Sequence, residues 1–190
     1  MRKNLGVTGG IFPMPVLMIA TYNEDGSVDV MNAAWGTMVE TNIVALNLTK
    51  THKTVENILR NKAFTVSFAT KNTIKESDYF GMVSGNRVKD KFEKSGFTAL
   101  KSECVNAPLI AEYPLTLECE FIEFQDDTYG LGVIGEVKNV SVDENYLDEN
   151  GKVNIPKVEG LIYDTFNHGY YVVKEKAGQA FSDGKAFFDK

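Results

Sequence analysis

Pro114-Leu-Thr-Leu-Glu-Cys-Glu-Phe-Ile-Glu-Phe124 places an apolar side chain at every second position, from Leu115 through Leu117 and Cys119 to Phe121. A two-residue period marks a strand with one face in a core and the other toward water. Asp126-Asp127 reads as a turn, after which Leu131 to Val142 alternates again, so a long antiparallel hairpin is expected. Its two long edges would leave rows of unpaired N–H and C=O groups and therefore need further strands beside them.

The preceding chain supplies those strands. Pro15 to Tyr22 is an apolar run, Asn23-Glu-Asp-Gly26 is a hairpin signal because Gly26 takes positive φ cheaply, and Ser27 to Ala34 returns as the partner. Ile43 to Leu48 is a third strand. Ala63 to Ala69 is a fourth, with Phe64, Val66 and Phe68 on one face. Between them Val55, Ile58 and Leu59 recur at helical spacing and predict a short helix. Thr73 and Glu76 stand at capping-box spacing, so a helix is expected to run from there towards Met82 until Gly85 breaks it. Val88 and Phe92 predict one more short helix that Gly96 closes. Asp143 to Pro156 reads as an acidic surface loop with an Asn150-Gly151 turn, and Tyr170 to Lys174 as a last strand before a polar tail.

Six or seven antiparallel strands with only short helices predict a mainly β fold, closed or nearly closed into a barrel. A parallel doubly wound sheet would need longer helices between its strands. With 190 residues, 43% of them hydrophobic, the chain is expected to form a single domain over 1–190.

Composition then narrows the function. A formal net charge of −6 opposes general attraction to nucleic acid or to an anionic membrane surface. The apolar run Ile11 to Ala20 is interrupted by Pro13 and Pro15 and is too short to span a bilayer, so it reads as a buried strand with a proline-marked entry. Cys104 and Cys119 read as reduced thiols of a cytoplasmic protein, Cys119 in the core. Gly130-Leu131-Gly132-Val133-Ile134-Gly135 satisfies G-x-G-x-x-G, but the fingerprint requires a helix to follow, and Glu136 to Val142 continues a strand. Glycines there instead permit bending or close approach of another backbone. Two histidines, His52 and His168, have no metal-binding spacing, and no G-x-S-x-G or cysteine nucleophile beside a base occurs. No protein side chain is singled out as catalytic, which leaves the chemistry to a cofactor.

Asn47-Leu-Thr-Lys-Thr-His-Lys-Thr54 precedes the first helix and carries Lys50, His52 and Lys53 among three threonines. Two readings stand. Unpaired N–H groups and the dipole at a helix start favour an anion, so the segment can cradle one phosphate; equally, threonine is an ordinary cap and the lysines can simply be solvated. Trp35 alone is weaker still, because a lone tryptophan is commonly a core residue.

The order of several motifs adds a resemblance. Phe-Pro-x-Pro-Val at 12–16, Asn-Ala-Ala-Trp-Gly at 32–36, Lys-x-x-x-Thr-x-x-Asn-Ile at 50–58, Asp-Tyr-Phe-Gly at 78–81, Ser-Gly at 84–85, Asp-Lys-Phe at 90–92, Ala-Pro-Leu-Ile at 107–110 and Pro-Leu-x-Leu-Glu-Cys at 114–119 together resemble the flavoredoxin and flavin-reductase-like family over nearly the whole chain. The resemblance implies an antiparallel, Greek-key type split β-barrel that binds FMN and forms a homodimer with the flavin near the subunit interface. It puts Asn32, Ala33, Ala34 and Trp35 beside the isoalloxazine and ribityl chain, and Lys50, Thr51, His52 and Thr54 near the phosphate. Ser84, Gly85 and Lys91 fall on a second loop over it. Asn32 stands where many relatives carry a hydroxyl residue, Glu40-Thr41-Asn42 where they carry a Pro-Pro pair, and His52 lies at a variable position. Two functions follow from the resemblance: an NAD(P)H-dependent flavin reductase, or a flavoredoxin-type electron carrier with tightly held FMN and a protein redox partner. A pyridoxal-phosphate-related oxidase on a similar barrel fits the motif order less well.

Overall fold

The computed structural model describes residues 1–126 and 130–188; Asp127, half of the expected turn, lies outside the described residues. Met14–Pro15 (β1) leads into Leu17–Tyr22 (β2), which turns at Gly26 (φ +84°) and returns as Val28–Ala33 (β3). Ala34 and Trp35 join β3 to Gly36–Glu40 (β4), which pairs with Ile43–Leu46 (β5). Lys53–Asn61 (α1), Ala63–Phe68 (β6), Ile74–Met82 (α2) and Lys91–Ser95 (α3) follow. Next come a small hairpin of Ala99–Lys101 (β7) and Pro108–Ile110 (β8), then the long hairpin of Leu115–Gln125 (β9) and Gly132–Val142 (β10). Ile155–Val158 (α4) precedes a last hairpin, Leu161–Asp164 (β11) and Gly169–Val172 (β12), which pairs with β1 in a separate three-stranded sheet.

Seven strands form one antiparallel sheet in the order β3-β2-β6-β9-β10-β5-β4. Its two edges, β3 and β4, are consecutive in sequence and only two residues apart, so the sheet has to curl until they approach each other at Trp35. A Cβ on Gly36 would stand 2.6 Å from a methyl of Leu17 on β2 and 2.8 Å from one of Leu46 on β5, side chains from opposite ends of the sheet. Inside the curl, Ile19, Leu46, Phe64, Cys119 and Val133 pack with Val55 and Ile58 of α1, as the helical spacing of the latter two predicts. The result is a mainly β half-barrel with few helices. Burial holds the Cys119 thiol up to about 12. On the outer side, Val16, Met18 and Val30 meet Phe80 of α2 and Phe92 of α3, so β2 is apolar on both faces.

The glycine run of β10 serves approach and bending. Gly132 has φ +73° and a Cβ there would sit 2.5 Å from the Leu46 carbonyl oxygen; at Gly135 it would sit 2.4 Å from the Phe64 ring. The register shifts between Ile134 and Gly135, and the strand continues to Val142.

Some local expectations shift. The capping box belongs to Thr70 and Thr73 around a 3-10 turn at Lys71–Thr73, so Glu76 takes no part in it. The helix expected from Val88 begins at Lys91, although Gly96 closes it in the left-handed conformation. The 143–156 segment holds a 3-10 turn at Glu144–Tyr146 and the start of α4. The alternation rule does not announce β4, because Thr37 to Glu40 are all exposed, nor β11, which owes its place to β1 and β12. Among the described residues no helix is long and apolar enough to cross a membrane.

Candidate functional site

Two clefts meet where β3 faces α2. The larger, about 410 Å³, is lined by Asn32, Ala33, Ala34 and Trp35 with Asn47, Leu48, Asp78, Tyr163 and Tyr170. The smaller, about 170 Å³, is lined by Lys53 and Thr54 at the start of α1, Ser84 and Gly85 on the following loop, and Lys91 of α3. Met31, Asn32, His52, Gly81 and Met82 border both, which makes them one groove with a broad, largely apolar end and a narrow polar one.

The broad end is shaped by the edge-to-edge curl. The Asn47 N–H donates to the Trp35 carbonyl at 2.8 Å and fixes the 34–36 turn, leaving the indole 58% exposed. Asn32 donates from Nδ2 to the Ser77 carbonyl at 3.0 Å, and a Cβ on Gly81 would stand 3.1 Å from Asn32 Cβ, so β3 and α2 approach closely there. Opposite, the β11–β12 hairpin presents Tyr163 and Tyr170 as a cross-strand pair with ring centroids 6.0 Å apart. Tyr170 donates its phenol to Asp78 Oδ1 at 2.8 Å; burial, and then that carboxylate, push the phenol up to about 12. Tyr163 hydrogen-bonds His168 Nδ1.

At the narrow end, His52 N-caps α1 through its backbone but supplies no side-chain cap, so the first N–H groups of the helix have no intrahelical or capping partner. Asn86 Nδ2 donates to the Thr51 carbonyl at 3.1 Å and ties the second loop to this turn. Beneath both lies Asp29 of β3, 1% exposed. It pairs with Lys91 Nζ at 2.9 Å and accepts a short hydrogen bond from the Thr54 hydroxyl.

Nine of the eleven expected residues line this groove: Asn32, Ala33, Ala34, Trp35, His52, Thr54, Ser84, Gly85 and Lys91. Lys50 and Thr51 do not. Lys50 is exposed, pairs with Asp126 at 2.7 Å and lies over the Phe124 ring, drawn to the β9–β10 hairpin. Thr51 contributes only its carbonyl. Lys53, by contrast, does line the narrow end and pairs with Glu56 at 2.8 Å; the acids that balance Lys50 and Lys53 therefore come from the chain itself. Asp29, Asp78, Tyr163 and Tyr170 were not among the expected residues. Asp29 carries one faint sequence signal, an acid between two valines in a strand that is buried on both sides.

The flavin reductase-like domain model matches residues 9–170. The chain belongs to that family. A flavoredoxin of Desulfovibrio vulgaris (Miyazaki F) superposes with a TM-score of 0.90 at 33% identity, covering 97% of this chain and 100% of that one. A flavoredoxin from Methanosarcina acetivorans gives 0.86 at 29% identity, with 98% of each chain covered. An FMN-binding domain of a flavin reductases-like enzyme from Shewanella baltica OS155 shares the fold, with a TM-score of 0.76 at 18% identity over 92% of this chain and 100% of that one. The flavin reductase-like half-barrel is thus the split barrel that the motif order implies.

Proposed function

We propose that this chain is an FMN-binding redox protein, with the flavin ring in the broad end of the groove and its phosphate in the narrow end. The observation that carries this reading is the junction itself: an open, largely apolar cleft adjoins, across Asn32 and His52, a small compartment lined by the Lys53 and Lys91 ammonium groups and by a helix start whose first N–H groups have no partner. Gly81, where a Cβ would be in tight contact with Asn32, and Gly85, where it would collide with Asp29, bring the walls close enough to form it. The kinship to two flavoredoxins and to a domain described as FMN-binding supports the same cofactor.

Bound FMN supplies two-electron redox chemistry that no side chain here provides. The chain's own residues bind and orient. Trp35 and Met31 offer apolar contact, the Asn32–Trp35 strand end aligns the ring, and the first turn of α1 with Lys91 and Ser84 holds the phosphate. Tyr170, kept protonated by burial and Asp78, offers a neutral polar edge opposite. The exposed Trp35 face and the open mouth leave room for a second planar ring, which favours an NAD(P)H-dependent flavin oxidoreductase. The second reading is an electron carrier with a protein redox partner, favoured by 33% identity to a flavoredoxin over 97% of the chain. In either case a homodimer would cover the adjoining apolar cleft of about 380 Å³ between Trp35, Ile11, Met14 and Leu131.

The test is anaerobic mixing of the FMN-loaded protein with NADH and NADPH. Rapid bleaching of the flavin is expected for the oxidoreductase. Absence of bleaching with both, while dithionite still reduces the protein, selects the carrier, and failure to bind FMN at all removes both.

A further inference from the structure

Asp29 is fully enclosed beneath the narrow compartment and holds two of its polar groups at once, the Lys91 ammonium at 2.9 Å and the Thr54 hydroxyl. Resting on the FMN reading above, we infer that Asp29 is a resident counter-ion that takes the place of phosphate when the compartment is empty and limits how tightly phosphate is held when it is full.

Proton accounting comes first. A hydroxyl has one proton, and that of Thr54 is committed to a carboxylate that can only accept. Thr54 therefore has lone pairs and no donor for a phosphate while Asp29 is ionised. Lys91 has three protons, one of them directed at Asp29, and its side chain is only 3% exposed. It cannot swing into water to find another counter-charge. The other ammonium of the compartment, Lys53, has a side chain 14% exposed and is itself paired with Glu56 at 2.8 Å, so it too already has an acid partner from this chain.

Charge accounting follows. The more deeply buried of the two cations facing the phosphate, Lys91, is already neutralised by Asp29, so a bound phosphate shares it with a carboxylate one side chain away. The repulsion between those two anions in a partly enclosed site exceeds the small ordering advantage of holding Lys91 in place. Asp29 thus keeps the empty site stable, because an unpaired buried ammonium would be costly, and weakens the filled one. The loop is built against this carboxylate: a Cβ on Gly85 would stand 2.3 Å from Asp29 Oδ1, so the backbone itself fixes the acid in position. A phosphate held against a built-in competitor leaves readily, which suits a flavin that is exchanged as a substrate.

The test compares binding of FMN and riboflavin, which differ only in the phosphate, to the full chain and to Asp29→Asn, together with the shift in melting temperature produced by inorganic phosphate. The preference for FMN over riboflavin is expected to rise about tenfold in Asp29→Asn with riboflavin affinity unchanged, and inorganic phosphate to raise the variant's melting temperature more than the native protein's. An unchanged or lower preference overturns the inference. Because Asp29→Asn leaves Lys91 unpaired and can fold poorly, a second pair decides independently. Asp29→Asn/Lys91→Gln is expected to bind FMN more tightly than Lys91→Gln alone, since only the single variant leaves a carboxylate beneath the phosphate; equal or weaker binding overturns the inference. A native protein with no preference for FMN over riboflavin would instead remove the phosphate placement on which it rests.

Discussion

The broad end of the groove stays open because its wall stands without a ligand: Trp35 is held by a backbone hydrogen bond and keeps its ring in solvent, and the two tyrosines come from a hairpin with its own pairing. The narrow end is held by charge. Asp29, Lys91 and Thr54 bring β3, α3 and α1 together through one buried ion pair and one hydrogen bond, with Gly85 wedged against them. The contrast teaches that binding and stability are separable at the broad end and coupled at the narrow one, since removing a partner of a buried pair leaves the other uncompensated.

Gly85→Ala attacks the coupled end and has the largest expected effect. The new methyl has to displace Asp29 or the loop, so denaturant unfolding is expected to show a loss of about 1–3 kcal/mol, the usual range for overpacking. A fully stable Gly85→Ala protein would mean that the charge cluster is not the strut described here. At the separable end, Trp35→Ala is expected to leave stability within about 0.5 kcal/mol while weakening flavin binding about 2- to 10-fold, the worth of one aromatic contact. Parallel losses in both would erase the contrast.

A smaller effect concerns pH. The Tyr170 phenol is raised from 10.0 to about 12. Because the folded value lies above the unfolded one, its contribution to stability is complete below pH 10 and is lost as pH climbs from 10 through about 12. Asp78→Asn removes the charge but leaves the burial, so this loss should finish at a lower pH in alkaline unfolding curves; an identical profile would show that burial alone raises the phenol. Smallest of all, Lys50→Ala is expected to leave FMN affinity within about twofold in a fluorescence titration, because a rim charge paired elsewhere is nearly neutral. A tenfold loss would bring Lys50 back to the phosphate.

What was legible in the sequence was local. The Asn23–Gly26 turn, the apolar face of α1, the long β9–β10 hairpin and the continuation of a strand beyond Gly135 each depend on neighbours within a few residues, and each stands in the structure; the half-buried alternation does not, because Thr116 and Glu118 of β9, expected toward water, are 3% and 2% exposed. The Asn32–Trp35 segment and the turn at His52 were legible as motifs because each is a continuous stretch of chain. The sequence does not separate Lys50 from its neighbours for the opposite reason: three basic residues near a helix start look alike, and it is Asp126, 76 residues away, that pairs with Lys50 outside the groove.

By itself, then, the sequence determined a curled antiparallel sheet and the two chain segments that border its groove, since period, turn chemistry and helix starts are written in adjacent residues. Tertiary structure alone decided which charges face that groove. Asp29 meets Lys91 and Asp78 meets Tyr170 from distant parts of the chain, and the sign of the field in a pocket is a sum over residues that only folding brings together.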